Sequence, residues 1–192
     1  MLDFFNGKLK VFDNVLPERE LKSWEEYYVN GLTFRRCSHE DETAENIYFC
    51  SDMGYKDNIQ VFDYESTIVP RAQKINLNVR SKFQRSYINV FNNTDKFIGH
   101  ADCQPVPDDK FFVSTVLFLS PAWNGGIHDG GIEFRMGTQT VLIKNVYNRL
   151  ICFSGDIWHC VQPFEAHRAR LTHYCTFSNM VKPSRLTDQN KW

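Results

Sequence analysis

The sequence of 192 residues contains no run of about 18 apolar residues, so no segment is built to cross a bilayer as a single helix. Its opening, Met1-Leu2-Asp3-Phe4-Phe5-Asn6-Gly7-Lys8, lacks the basic-then-apolar order of a secretory signal, and the expectation is a cytoplasmic protein with no membrane partner. Paired cysteine motifs are missing too. The six Cys, at positions 37, 50, 103, 152, 160 and 175, show no CxxC spacing, which argues against a zinc knuckle or a redox pair. Reduced thiols are expected, with Cys152 and Cys175 filling core positions in strands. Charge of one sign is also absent: 22 Lys and Arg stand against 23 Asp and Glu, for a net charge of -1. Such a balance exerts no general pull on nucleic acid or anionic lipid. No internal repeat, low-complexity tract or linker divides the chain, so one domain over residues 1–192 is expected, with Pro183 to Trp192 as a loose tail.

What is present is apolar and aromatic, 42% hydrophobic residues with 16 Phe among them, enough for a sizeable core. Leu9 to Val15 reads as a first strand. Leu16-Pro17-Glu18-Arg19-Glu20 opens a helix with an early Pro and acids in the first turn, and Leu21, Trp24, Tyr28 and Val29 give it one apolar face as far as Asn30-Gly31. Leu32 to Phe34 is a strand candidate, and Arg35 to Glu45 reads as a mobile charged loop. Phe62 to Leu77 is broadly helical in spacing, interrupted at Pro70 unless that residue starts a second segment. From Val79 the texture changes. Val79 to Phe91, Lys110 to Ser120, Gly131 to Arg135, Thr140 to Ile143, Arg149 to Phe153 and Arg170 to Phe177 are β-branched and aromatic runs separated by turns. Helices early and short strands late predict a mainly β protein: a helical support layer over 1–78 backing a jelly roll (double-stranded β-helix) over 79–178.

The chemistry gathers around Phe97-Ile98-Gly99-His100-Ala101-Asp102. On a strand, alternate side chains share a face, so His100 and Asp102 would point the same way. With six His and 13 Asp, roughly 0.4 His-x-Asp tripeptides are expected by chance. A second copy, His39-Glu40-Asp41, lies in a charged run without apolar alternation and reads as solvated. Two ligands do not hold a catalytic metal. The third candidate is His159 in Phe153-Ser154-Gly155-Asp156-Ile157-Trp158-His159, where Gly155-Asp156 supplies a tight turn and Trp158 could shield the metal's flank. Two His and one carboxylate form the facial triad that binds non-haem Fe(II) and leaves positions open. Taken alone, His159 reads equally well as a core histidine bonded to a carbonyl. Arg170 begins the last strong strand, and a guanidinium facing the interior suits an anion that both arms of its fork can bond, such as a dicarboxylic co-substrate. Arg168, of the same strand parity, competes for that role.

The order Phe97-x-x-His100-x-Asp102, a β-rich run to Leu119, Gly130-Gly131-Ile132-Glu133-Phe134, Phe153-x-Gly155-Asp156-x-x-His159-x-Val161-x-Pro163, then Arg170-Leu171-Thr172 resembles the Fe(II)- and 2-oxoglutarate-dependent dioxygenases. The similarity is to their prolyl 4-hydroxylase-like branch, with its small bacterial and phage members, and covers Arg85 to Phe177. Two departures stand out: Gly-Gly-Ile-Glu-Phe replaces the usual Gly-Gly-Glu-Thr or Gly-Gly-Glu-Phe, and the spacing from distal His to Arg is uncommon, which keeps Arg168 open beside Arg170. The resemblance implies Fe(II) held by His100, Asp102 and His159, with no catalytic side chain beyond these ligands. It implies 2-oxoglutarate bound by Arg170 through its C5 carboxylate, with Tyr87 and Asn89 facing the co-substrate, and ascorbate as an accessory small molecule. The reaction it implies is hydroxylation of a peptidyl residue, proline above all, in the cytoplasm of a bacterium or of a phage-infected host. Trp123 and Tyr55 would line the rim for a peptide or protein substrate. A small-molecule or nucleobase substrate, or a jelly-roll binding module without chemistry, are the alternatives.

Overall fold

The computed structural model describes residues 1–23, 35–38, 47–52, 67–81, 83–92, 98–120, 130–164 and 170–180. Eleven strands among them form two antiparallel sheets. The large sheet runs in the order β1-β2-β9-β6-β11-β5-β4-β3, built from β1 (Leu2–Phe4), β2 (Leu9–Phe12), β9 (Leu150–Ser154), β6 (Phe112–Phe118), β11 (Arg170–Ser178), β5 (Phe83–Phe91), β4 (Ile47–Asp52) and β3 (Arg35–Ser38). The small sheet has the order β10-β7-β8, from β10 (Trp158–Val161), β7 (Ile132–Met136) and β8 (Gln139–Ile143). Neighbours in the large sheet are mostly distant in sequence, so a single strand such as β11 meets both β5 and β6 in fixed register.

Alternation along these strands divides the core in two. Val116, Phe118, Ile151, Phe153 and Tyr174 pack with Ile132, Phe134 and Ile143 of the small sheet, filling the space between the sheets. The intervening residues Val113, Leu117, Leu150, Cys152, Cys175 and Phe177 pack on Leu21, Ile68, Val69, Ala72 and Val79 on the opposite face. Three layers result, with the large sheet in the middle. Each Leu, Ile or Phe so buried contributes roughly 1.5–3 kcal/mol of transfer free energy. Register matters accordingly, because a one-residue slip of β6 or β11 would exchange the two faces.

The N-terminal third differs from the helical layer expected over 1–78. Residues 18–23 are helical, but four strands, β1 to β4, come from this part and extend both edges of the large sheet. Arg35–Ser38, read as part of a charged loop, is an edge strand on β4; it has no apolar alternation and owes its form to backbone pairing. The helix anticipated from Phe62 to Leu77 is confined to α1 (Ile68–Ala72), followed by a 3-10 turn (Leu77–Ser81) that takes in Val79; Phe62 lies outside the described residues. Pro70 sits in the first turn of α1, where a missing N–H costs nothing. Cys152 and Cys175 are buried free thiols in strands, as expected. No helix among the described residues is long and apolar enough to cross a membrane.

Candidate metal and co-substrate site

The strand expected over Phe97 to Asp102 is reduced to one bridge. His100 N–H donates to the His159 carbonyl at 2.9 Å and His159 N–H to the His100 carbonyl at 2.8 Å, an isolated antiparallel pair. Beyond it the chain bends through residues 102–104, and Pro105 and Pro107 lack the donors that a ladder would need. The bridge nevertheless joins two histidines 59 positions apart, with ring centroids 4.7 Å apart. His159 is held from the other side by β10 pairing on β7, where it lies opposite Phe134. Gly99 explains the close approach: a Cβ there would fall 1.9 Å from Trp158 Cζ2. Trp158 therefore covers the backbone next to His100, with the Arg135 guanidinium 4.4 Å over its ring, and does not take the place beside a metal envisaged for it.

Asp102 completes the group. Its Oδ1 lies 3.6 Å from His100 Nε2 and 3.9 Å from His159 Nε2, and the three ligand atoms all fall within 4.8 Å of one another. The other ring nitrogens are committed elsewhere: His159 Nδ1 donates to the Ile157 carbonyl at 3.0 Å and His100 Nδ1 to the Ile98 carbonyl at 3.3 Å. A proton on each Nδ1 leaves a lone pair on each Nε2. Burial pushes the Asp102 carboxyl up, but the adjoining His159 and His100 and the Ser114 hydroxyl hold it well below the usual carboxylate range. Burial lowers His159, and Asp102 recovers only part of that. With Nδ1 as the donor on each ring, the group offers one carboxylate oxygen and two Nε2 lone pairs to a common point. A cation fits that donor chemistry. His100 is 43% exposed, against 9% for His159 and 10% for Asp102, so the group opens toward solvent on the His100 side.

Behind the group stands the large sheet. Ser114 on β6 donates to Asp102 Oδ2, and the Tyr174 hydroxyl on β11 lies 3.1 Å from Ser114 Oγ. Burial and the Asp102 charge push the Tyr174 phenol well above its ordinary range, so it stays protonated. Tyr87, on β5, packs against it at 4.8 Å between ring centroids. Arg170, Thr172 and Tyr174 are alternate residues on β11 and share one face. Arg170 is 1% exposed; its Nε donates to the Gly130 carbonyl at 2.6 Å, and its guanidinium lies 5.4 Å from the Phe91 ring and 5.1 Å from the Phe118 ring. Asn89 sits opposite Thr172 across the strand pair, and its buried Oδ1 has no hydrogen-bond partner among the described residues.

The six residues anticipated from sequence, His100, Asp102, His159, Arg170, Tyr87 and Asn89, therefore lie about the space between the sheets. Arg168, Trp123, Tyr55, His39 and Asp41 lie outside the described residues. Sequence reasoning missed Ser114, Tyr174 and Thr172, each a polar residue at an inward-facing position of a buried strand. Gly130, at φ +69, is a contact residue, since a Cβ there would stand 3.1 Å from Arg170 Cδ and 3.0 Å from a Phe164 ring carbon.

No protein-family model matches the sequence, and no curated protein matches it. Solved structures do. A prolyl-4-hydroxylase from Pseudomonas putida is 17% identical, with a TM-score of 0.64 over 92% of this chain and 95% of its own. A prolyl hydroxylase from Trichoplax adhaerens, solved in complex with a hypoxia inducible factor oxygen degradation domain peptide fragment, is 16% identical at 0.65, over 90% and 84%. The non-heme alpha-ketoglutarate-dependent carbocyclase SnoK from nogalamycin biosynthesis is 10% identical at 0.67, over 90% and 79%. The chain has the fold of the 2-oxoglutarate- and Fe(II)-dependent oxygenases, prolyl 4-hydroxylases among them.

Proposed function

We propose that the protein is an Fe(II)- and 2-oxoglutarate-dependent dioxygenase on a jelly-roll scaffold, and that it hydroxylates a peptidyl residue, proline in the first instance. The observation that carries this reading is the convergence of three acceptors, His100 Nε2, Asp102 Oδ1 and His159 Nε2, within 4.8 Å in the space between the sheets. Three lone pairs facing one another repel unless a cation lies among them. Two imidazoles and one carboxylate leave positions for other ligands, the arrangement suited to non-haem iron. Bound there, iron supplies the activation of oxygen that couples oxidative decarboxylation of 2-oxoglutarate to insertion of hydroxyl into a C–H bond.

The protein's part is to bind, aim and exclude water. Arg170 supplies a fork for the far carboxylate of the co-substrate, its stem braced by Gly130 and the rings of Phe91 and Phe118. Asn89 and Thr172 stand beside it with polar ends that a carboxylate or keto group could use, and Tyr87 flanks the same space through its contact with Tyr174. Phe134 and Phe153, ring against ring with His159, keep water from its inner side. The open His100 side is left for the substrate. A peptide substrate is favoured by the likeness to the two prolyl hydroxylases, and the likeness to SnoK supports a second reading, the same chemistry on a small molecule.

The test is succinate release from 2-oxoglutarate by the iron-loaded protein. His100→Ala and Asp102→Ala should each abolish it, and turnover at the wild-type rate in both would overturn the assignment. A proline-rich peptide panel run beside a metabolite panel separates the two substrate classes by which one stimulates succinate release.

A further inference from the structure

His159 is aimed by a strand and His100 by a reciprocal backbone bridge, but Asp102 sits in a bend with no ladder of its own. The nearest backbone anchor is one residue on, where Cys103 N–H donates to the Gly155 carbonyl at 3.2 Å. A carboxylate so placed needs its aim from elsewhere. The large sheet supplies a hydroxyl: Ser114 is fully buried at an inward position of β6, between Phe112 and Val116, where an apolar side chain would serve packing better. Burying that hydroxyl is unfavourable unless it is bonded. It is bonded twice, donating its one proton to Asp102 Oδ2 and so accepting from the Tyr174 phenol at 3.1 Å. The Tyr174 ring is in turn held by Tyr87.

We propose that Ser114 and Tyr174 are positioning residues for the metal centre, a two-hydroxyl chain that occupies Asp102 Oδ2 so that only Oδ1 faces His100 and His159. The inference rests on the metal site proposed above and adds to it a reason for one-oxygen coordination. With Oδ2 engaged, turning both oxygens toward a cation would cost the Ser114 hydrogen bond, so Asp102 would present Oδ1 alone to a cation held there. Without Ser114, both oxygens are free to turn inward.

The experiment uses Co(II) as probe, since it reads the site without turnover. Ser114→Ala should weaken Co(II) binding about 10- to 100-fold, as loss of a partner behind a metal ligand generally does. It should also shift the visible d–d bands toward higher coordination number, and it should weaken binding of 2-oxoglutarate to the Co(II) protein. Tyr174→Phe, which keeps the ring against Tyr87, should give a smaller change in the same direction. Ser114→Thr should restore the wild-type spectrum. In the double variant Ser114→Ala/Tyr174→Phe the losses should depart from additivity, because the two hydroxyls belong to one network on Asp102. A purely structural role would lower the thermal midpoint of the metal-free protein and leave the bands of the bound metal in place. Wild-type Co(II) affinity and bands in both single variants would overturn the inference while leaving the metal site standing. Failure of the unaltered protein to bind Co(II) would overturn both. Should Ser114→Ala not fold, Tyr174→Phe alone decides, with unchanged bands counting against the proposal.

Discussion

On one face of the large sheet Ser114, Thr172, Tyr174 and Arg170 point between the sheets; on the other face of the same strands, one residue along, Thr115, His173 and Cys175 point toward the helices beside Ser86. Both groups are buried and both carry hydroxyls. In the helix-side group the polar atoms meet one another: Ser86 Oγ lies 2.6 Å from His173 Nε2, and the Cys175 thiol lies 3.6 Å from that nitrogen and 3.8 Å from the hydroxyl. The group between the sheets stays open, its hydroxyls converging on a carboxylate whose free oxygen meets two lone pairs. Buried polarity alone therefore does not mark a site. Convergence of three ligand atoms on one open point does, because that is the arrangement a bound cation needs.

The contrast is sharpest at Arg170. If the face between the sheets takes a dicarboxylate, Arg170→Met should raise the apparent KM for 2-oxoglutarate by about 30-fold or more, the worth of a charge-assisted bond pair, with metal affinity little altered. An unchanged KM would reassign the guanidinium to packing. Next in size is Gly99→Ala, whose Cβ cannot coexist with Trp158 in place. Pushing the ring aside disturbs the His100 bridge, so Co(II) affinity should fall about tenfold. Equal affinity would show that His100 does not depend on that contact.

The helix side should act on stability and leave binding alone. Burial lowers the His173 pKa from 6.5 to about 3, so the folded protein holds this ring neutral where the unfolded chain would take up a proton. Its contribution to stability is complete above about pH 6.5 and is lost as pH falls from there toward about 3, with a slope of at most about 1.4 kcal/mol per pH unit. His173→Gln, which can still bond Ser86 without titrating, should flatten the decline in urea midpoint across that window. It should leave Co(II) affinity untouched. A shift in metal binding would mean that the two faces communicate and would break the comparison.

How far the sequence disclosed this arrangement depended on whether local pattern or distant pairing determined each part. β5, β6, β7, β8, β9 and β11 carry alternation or dense β-branched and aromatic runs, and those signals are local. β3 and β4 were not anticipated because what makes them strands is an edge ladder to each other and to β5, which composition does not announce. Within the site, His100 and Asp102 were visible as a short motif, and His159 and Arg170 through the order of motifs downstream. Ser114 and Tyr174 carried the same information in weaker form. A serine inside Phe111-Phe112-Val113-Ser114-Thr115-Val116 is unremarkable until the parity of β6 is known, and the parity of a central strand follows from its neighbours, not from its own residues.

One consequence follows from the mutual hydrogen bonds between the backbones of His100 and His159. Each amide is latched by the carbonyl of the other, so neither main chain can move away without unfastening its counterpart's. The pair should open and close as one leaf, with both amide protons exchanging with solvent at a common rate that falls together when a divalent ion is added.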